Sequence, residues 1–89
     1  MNSGSSNHPD EETPESRACE ILRRTFIWIA EGRSLEQRGL RATVVLYCVR
    51  PDLIDGQTLE SIGFAAGVTR QRAHRLATEF RQTVGWEYG

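Results

Sequence analysis

Thr58-Leu-Glu-Ser-Ile-Gly-Phe-Ala-Ala-Gly-Val-Thr-Arg-Gln-Arg-Ala-His-Arg-Leu-Ala77 is the stretch whose reading decides the fold. It reads as two short helices joined by a tight turn at Gly67. Thr58 and Thr69 each stand where a side-chain oxygen can accept an unpaired backbone N–H at a helix start. Leu59 and Ile62, extended by Ala66, give the first helix an apolar stripe; Val68, Ala73 and Leu76 do so for the second. Gly63 is small where the two helices are expected to approach closely, with Ala73 packed beside it. Gly67 can take the positive φ that ends many helices. Together these positions predict a helix-turn-helix.

Working outward, Arg41 to Arg50 is ambiguous by propensity, because Ala-Thr-Val-Val-Leu-Tyr-Cys-Val also suits a strand. No partner strand exists elsewhere and Pro51 stops the run, so a helix is expected, with Ala42, Val45, Leu46 and Val49 facing the motif. Pro51 to Gln57 reads as a loop with an Asp55-Gly56 turn. Arg33 to Gly39 reads as a short helix or loop anchored only by Leu35. The second motif helix should run to about Thr83, its stripe extended by Phe80 and Val84.

Thr58-Leu-Glu-Ser-Ile-Gly followed by Gly67-Val-Thr-Arg-Gln-Arg resembles region 4 of bacterial sigma factors, as do Val45-Leu46, Arg50 and Asp55-Gly56 upstream. The resemblance covers roughly residues 42–82. It implies a helix before the motif, binding to promoter-type double-stranded DNA, and a contact with RNA polymerase. An 89-residue chain has no room for the parts of a sigma factor that grip polymerase and open DNA. Ala73, His74 and Arg75 replace the bulkier apolar residue, Arg and Gln common in the family, which implies a different DNA sequence.

In a helix-turn-helix the second helix lies in the major groove and offers its N-terminal residues to base edges. With Val68, Ala73 and Leu76 inward, Arg70, Gln71, His74 and Arg75 share the outward face, and Thr78 continues it one turn later. Arg can pair with guanine N7 and O6, Gln with adenine N6 and N7. Arg72 lies round the helix, where phosphate is the nearer partner. Thr69 and the amides beside it are also placed for phosphate. A solvated basic face on a protein-binding module is the bland alternative, and an exposed histidine is the bland reading of His74.

Composition bounds the rest. The chain holds 11 Lys plus Arg against 12 acids, net charge −1, but the charge is unevenly placed. Residues 1–20 carry five acids against Arg17, whereas Gly67 to Gln82 carries four Arg against Glu79. Position decides here, and the total does not. All basic residues are Arg, which suits bidentate contacts; a genome-wide composition bias explains it equally well.

Met1 to Pro14, acidic and without an apolar period, is expected to be a disordered tail, either solubilising or competing with phosphate for the Arg face. Residues 15–89 should form a single all-α domain, a small helical bundle carrying the helix-turn-helix at its C-terminal end. Its first helix, 15–31, shows Ala18, Ile21, Leu22, Thr25, Trp28 and Ile29 on one face, widened by Phe26 and Ile27. So broad a surface asks for burial on more than one side, and a homodimer through this helix is one answer. Trp28 suits core packing and an interface equally. Trp86 either folds back or serves a partner.

Cys19 and Cys48 lie far apart without ligand neighbours and read as buried reduced thiols, so no metal site is expected. No Ser, Cys or acid is set beside a histidine, His8 lies in the tail, and no phosphate-cradling loop exists. No catalytic residue and no cofactor is therefore expected. With no membrane span or signal peptide in view, a soluble, cytoplasmic and nucleoid-associated protein is expected. The leading expectation is a sequence-specific DNA-binding regulator. A phage-type DNA-recognition assembly component, ring-forming through the first helix, and a motif used for protein contacts are the alternatives.

Overall fold

A computed structural model describes residues 13–85; residues 1–12 of the tail expected at 1–14, with His8, and Trp86 lie outside the described residues. The described chain is all-helical: α1 (Pro14–Ala30), α2 (Leu35–Val49), a 3-10 turn (Pro51–Ile54), α3 (Leu59–Ala66) and α4 (Arg70–Val84).

Each helix start has a side-chain reason. Thr13 and Ser16 exchange reciprocal bonds at the head of α1, with Pro14 in the first turn, where its missing N–H costs nothing. Pro14 thus belongs to the helix and Thr13 to its cap, so the tail boundary expected at 14 runs into the start of α1. Ser34 caps α2 through the Gln37 amide, Thr58 caps α3 through Ser61, and Thr69 caps α4 through Arg72, each at 3.1 Å. The short helix or loop expected at 33–39 is instead the beginning of one unbroken α2, and Leu35, expected as its anchor, is 77% exposed.

The core gathers Trp28 from α1, Leu40, Val44 and Cys48 from α2, Leu59 and Ile62 from α3, and Ala73, Leu76, Ala77, Phe80 and Val84 from α4. The α4 stripe falls where the apolar period puts it. The α2 stripe does not: Leu40, Val44 and Cys48 are buried, while Ala42, Val45 and Leu46 are half-buried and Val49 is exposed. An apolar run on all sides of a helix leaves its rotation undetermined until the packing is known. Ala66, expected on the α3 stripe, is exposed, because α3 ends there and the chain turns away at Gly67. Cys48 is buried as expected, but Cys19 is exposed, and neither is in a disulfide.

Two glycines govern the connection from α3 to α4. Gly67 has φ 74°, a conformation costly for a residue with a Cβ. At Gly63 a Cβ would stand 3.1 Å from the Thr69 carbonyl oxygen and 3.2 Å from that of Val68. The close approach is thus between α3 and the connection itself, where the Val68 amide bonds the Gly63 carbonyl at 2.8 Å, rather than between the bodies of two helices. The loop read at 51–57 is partly a 3-10 turn, and its Asp55-Gly56 pair has φ 58° and 67°.

α1 is held mainly by its second half. Trp28 is its one buried residue, stacked at a tilt on Phe80 with ring centroids 5.3 Å apart. Arg41 of α2 lies over the same indole at 4.7 Å and donates to the Trp28 carbonyl oxygen at 2.7 Å. Of the face expected on α1, Ile21, Thr25 and Ile29 are half-buried, while Ala18 and Leu22 are exposed, as is every residue from Pro14 to Cys19. No described helix is long and apolar enough to cross a membrane.

Candidate functional site

The candidate site is the outer face of α4, made by the spacing of its residues. At about 100° per residue, the buried Ala73, Leu76, Ala77, Phe80 and Val84 occupy one side. Arg70, Gln71, His74, Arg75 and Thr78 fall together on the opposite side. All five are exposed and line a single shallow concave surface. Arg72 is exposed but lies round the helix from this surface. Thr69 stands at the helix start, its hydroxyl accepting the Arg72 amide and its carbonyl accepting the Ala73 amide. The amides of Arg70 and Gln71 are left without a protein partner among the described residues, at the positive end of the helix dipole.

Several guanidinium groups outside this surface are engaged by neighbours. Arg23 and Arg24 pair with Glu20, Arg50 pairs with Asp52, Arg41 lies between Glu31 and Glu79, and Arg38 bonds the Gly32 carbonyl oxygen. Arg70, Arg72 and Arg75 have no acid partner among the described residues. The acid of α4, Glu79, is held toward α1 by the Trp28 indole at 2.8 Å and by Arg41 at 3.8 Å. Its charge is thus turned from the Arg70–Arg75 surface, which is left locally cationic.

Such a surface can do three things chemically. Planar guanidiniums offer paired donors to a phosphate or a purine edge. The Gln71 amide can donate and accept at once, as can the imidazole of neutral His74. The helix start can take an anion. No group of three His, Cys, Asp or Glu side chains among the described residues could hold a metal ion.

Reading the sequence missed two groups. Arg41 and Glu79 form the polar link among α1, α2 and α4, and no local pattern marks residues so far apart. Phe64, 87% exposed on α3, received no role, and no element among the described residues covers it. Compared with protein-family models, with curated proteins and with solved structures, the chain matches none.

Proposed function

We propose that the chain is a sequence-specific double-stranded DNA-binding protein, a transcriptional regulator whose α3–α4 pair is a helix-turn-helix with α4 in the major groove. One observation carries the reading: among the described residues, Arg70, Arg72 and Arg75 have no acid partner at the start of α4, beside Gln71, His74 and Thr78. Arg23, Arg24, Arg41 and Arg50, elsewhere in the fold, are each paired with a carboxylate. Leaving three together unpaired sustains mutual repulsion that a polyanion would relieve.

The dimensions agree with the groove. A helix with side chains is about 10–12 Å across, against a major groove about 12 Å wide. From Arg70 to Thr78 the axis advances ~12 Å, roughly the height of three to four base pairs. Arg70, Gln71, His74 and Arg75 are the base-reading candidates. Thr69, Arg72 and the Arg70 and Gln71 amides are the phosphate candidates.

Selection of bound duplexes from a random pool tests this. A shared core of about three to five base pairs per chain, with affinity falling steeply as salt rises, is the expected result. Failure to retain any duplex at low salt would overturn it.

A further inference from the structure

We propose that Trp28 is a positioning residue for the outer surface of α4: its indole N–H, with Arg41, holds the Glu79 carboxylate where it does not neutralise Arg75. The consequence for binding rests on the DNA-binding reading; the position of Glu79 is measured without DNA.

Glu79 is the acid of α4, and about half of its side chain is exposed, at 49%. On a helix a side chain meets those three and four positions away. For Glu79 these are Leu76 and Arg75 before it, Gln82 and Thr83 after it. Arg75 is therefore the cation that its own helix offers it. Helical side chains also lean toward the N-terminus, which aims Glu79 at the turn carrying Arg75. By helix geometry alone the two would pair. They do not: Glu79 Oε1 instead accepts from Trp28 Nε1 at 2.8 Å and lies 3.8 Å from the Arg41 guanidinium.

The hold is built from the core. Trp28 is buried and stacked on Phe80, and a buried indole N–H needs an acceptor. Arg41 is itself fixed, by the Trp28 carbonyl oxygen at 2.7 Å and by the indole face beneath it. Neither donor can follow the carboxylate toward solvent, so their bonds keep Glu79 on the α1 side of α4. An exposed pair at a spacing of four shifts an equilibrium only about twofold, less than the loss of a bond from a buried donor. The tether wins, and Arg75 is left to an incoming anion. Local spacing would count Arg75 as neutralised by Glu79; the link to α1 and α2 reverses that.

Fluorescence anisotropy of the full chain on a duplex selected from a random pool reads the consequence. Glu79→Gln keeps an acceptor for the indole and should leave affinity within about 1.5-fold of wild type, because the charge it removes is already turned away. Trp28→Phe keeps a ring against Phe80 but removes the donor, and the freed carboxylate should weaken binding about threefold. Trp28→Phe combined with Glu79→Gln should recover the affinity of Glu79→Gln alone, which a purely structural loss would not do. Without DNA, the Arg75 Nε–H resonance should move in Trp28→Phe and return in the double variant. A Glu79→Gln protein that binds about threefold tighter than wild type overturns the proposal, and does so even where Trp28→Phe fails to fold. So does a folded Trp28→Phe protein that binds like wild type, a double variant as weak as Trp28→Phe, or an unmoved Arg75 resonance. A wild type that binds no duplex overturns the DNA-binding reading instead, while the Arg75 resonance still decides the position of Glu79.

Discussion

The indole Nε1 of Trp28 donates to a carboxylate oxygen of Glu79 at 2.8 Å, across 51 positions of sequence. Trp28 is the residue by which α1 enters the core, and Glu79 sits on α4, so the bond ties the first helix to the last. Arg41 completes the link from α2: over the indole ring, on the Trp28 carbonyl oxygen, and 3.8 Å from the same carboxylate. A buried indole needs an acceptor for its N–H. Glu79 supplies one from the core's edge, where its side chain stays half-exposed.

Glu79→Ala should therefore destabilise the fold by about 1–3 kcal/mol, the cost of leaving a buried donor unpaired. Arg41→Ala should cost about as much by removing both the carbonyl bond and the cation over the ring. Arg41→Lys should fall between wild type and Arg41→Ala, because an ammonium keeps the charge but not the planar stack. Urea unfolding followed by circular dichroism measures all three. An unchanged midpoint for Glu79→Ala would mean that water takes over the indole N–H.

Two helical glycines should respond oppositely to alanine. Gly39 lies within α2 with nothing within 4 Å of where a Cβ would be. Gly39→Ala should stabilise by about 0.5–1 kcal/mol through helix propensity alone. At Gly63 the same methyl meets two backbone carbonyls of the α3–α4 connection, which is fixed by its own amide bond and by the Thr69 cap. Gly63→Ala should lose more through crowding than it gains in propensity, a net loss of about 1 kcal/mol. Melting temperatures moving in the same direction would show that the connection yields more easily than its hydrogen bonds imply.

Ala73 has no exposed surface and is surrounded by the core. Ala73→Asp should place an unpaired carboxylate there at a cost of several kcal/mol. Loss of the cooperative thermal transition is the expected result. A variant melting like the wild type would mean that α4 is rotated away from the packing described.

The α3–α4 half was legible in the sequence because its signals are local. Thr58, Gly67 and Thr69 act on backbone groups within three residues of themselves, and Ala73, Leu76 and Phe80 keep one helical period. The five residues that line the outer surface of α4 follow from that same period. α2 was less legible. With apolar residues at 42, 44, 45, 46, 47, 48 and 49, no period singles out Leu40, Val44 and Cys48 as the inward edge. The Ser34 cap that fixes its start looks like ordinary loop sequence. The Trp28–Arg41–Glu79 link could not be read at all, since it depends on how three helices are brought together.

The carboxylates of the surface pairs should titrate below their ordinary range. Bonds from Arg23 and then Arg24 lower Glu20, and the bond from Arg50 lowers Asp52. A carboxyl whose folded pKa is depressed contributes stability above its unfolded pKa and loses it as pH falls through the folded value. Both pairs are exposed, so their effect on the fold is small and screened by salt. Carboxyl chemical shifts followed through acid pH should show both groups titrating low, and Arg23→Ala should move Glu20 back toward normal. A Glu20 curve indifferent to Arg23→Ala would show that the pair does not persist in solution.

The guanidiniums of α4 should separate by role when DNA binding is measured. Arg70 and Arg75 belong to the shared concave surface with Gln71, His74 and Thr78, whereas Arg72 lies round the helix. Arg70→Ala and Arg75→Ala should each weaken binding to the selected site by about 1–3 kcal/mol and relax preference at one base pair. Arg72→Ala should weaken selected and random duplexes alike and lower the salt slope by about one. None of the three should shift the melting temperature appreciably, because each side chain is exposed and without an acid partner among the described residues. Fluorescence anisotropy titrations on both duplexes, repeated at several salt concentrations, give affinity, preference and slope together. Uniform losses on both duplexes for all three variants would reduce this face to a phosphate patch, and base reading would have to be sought elsewhere on the chain.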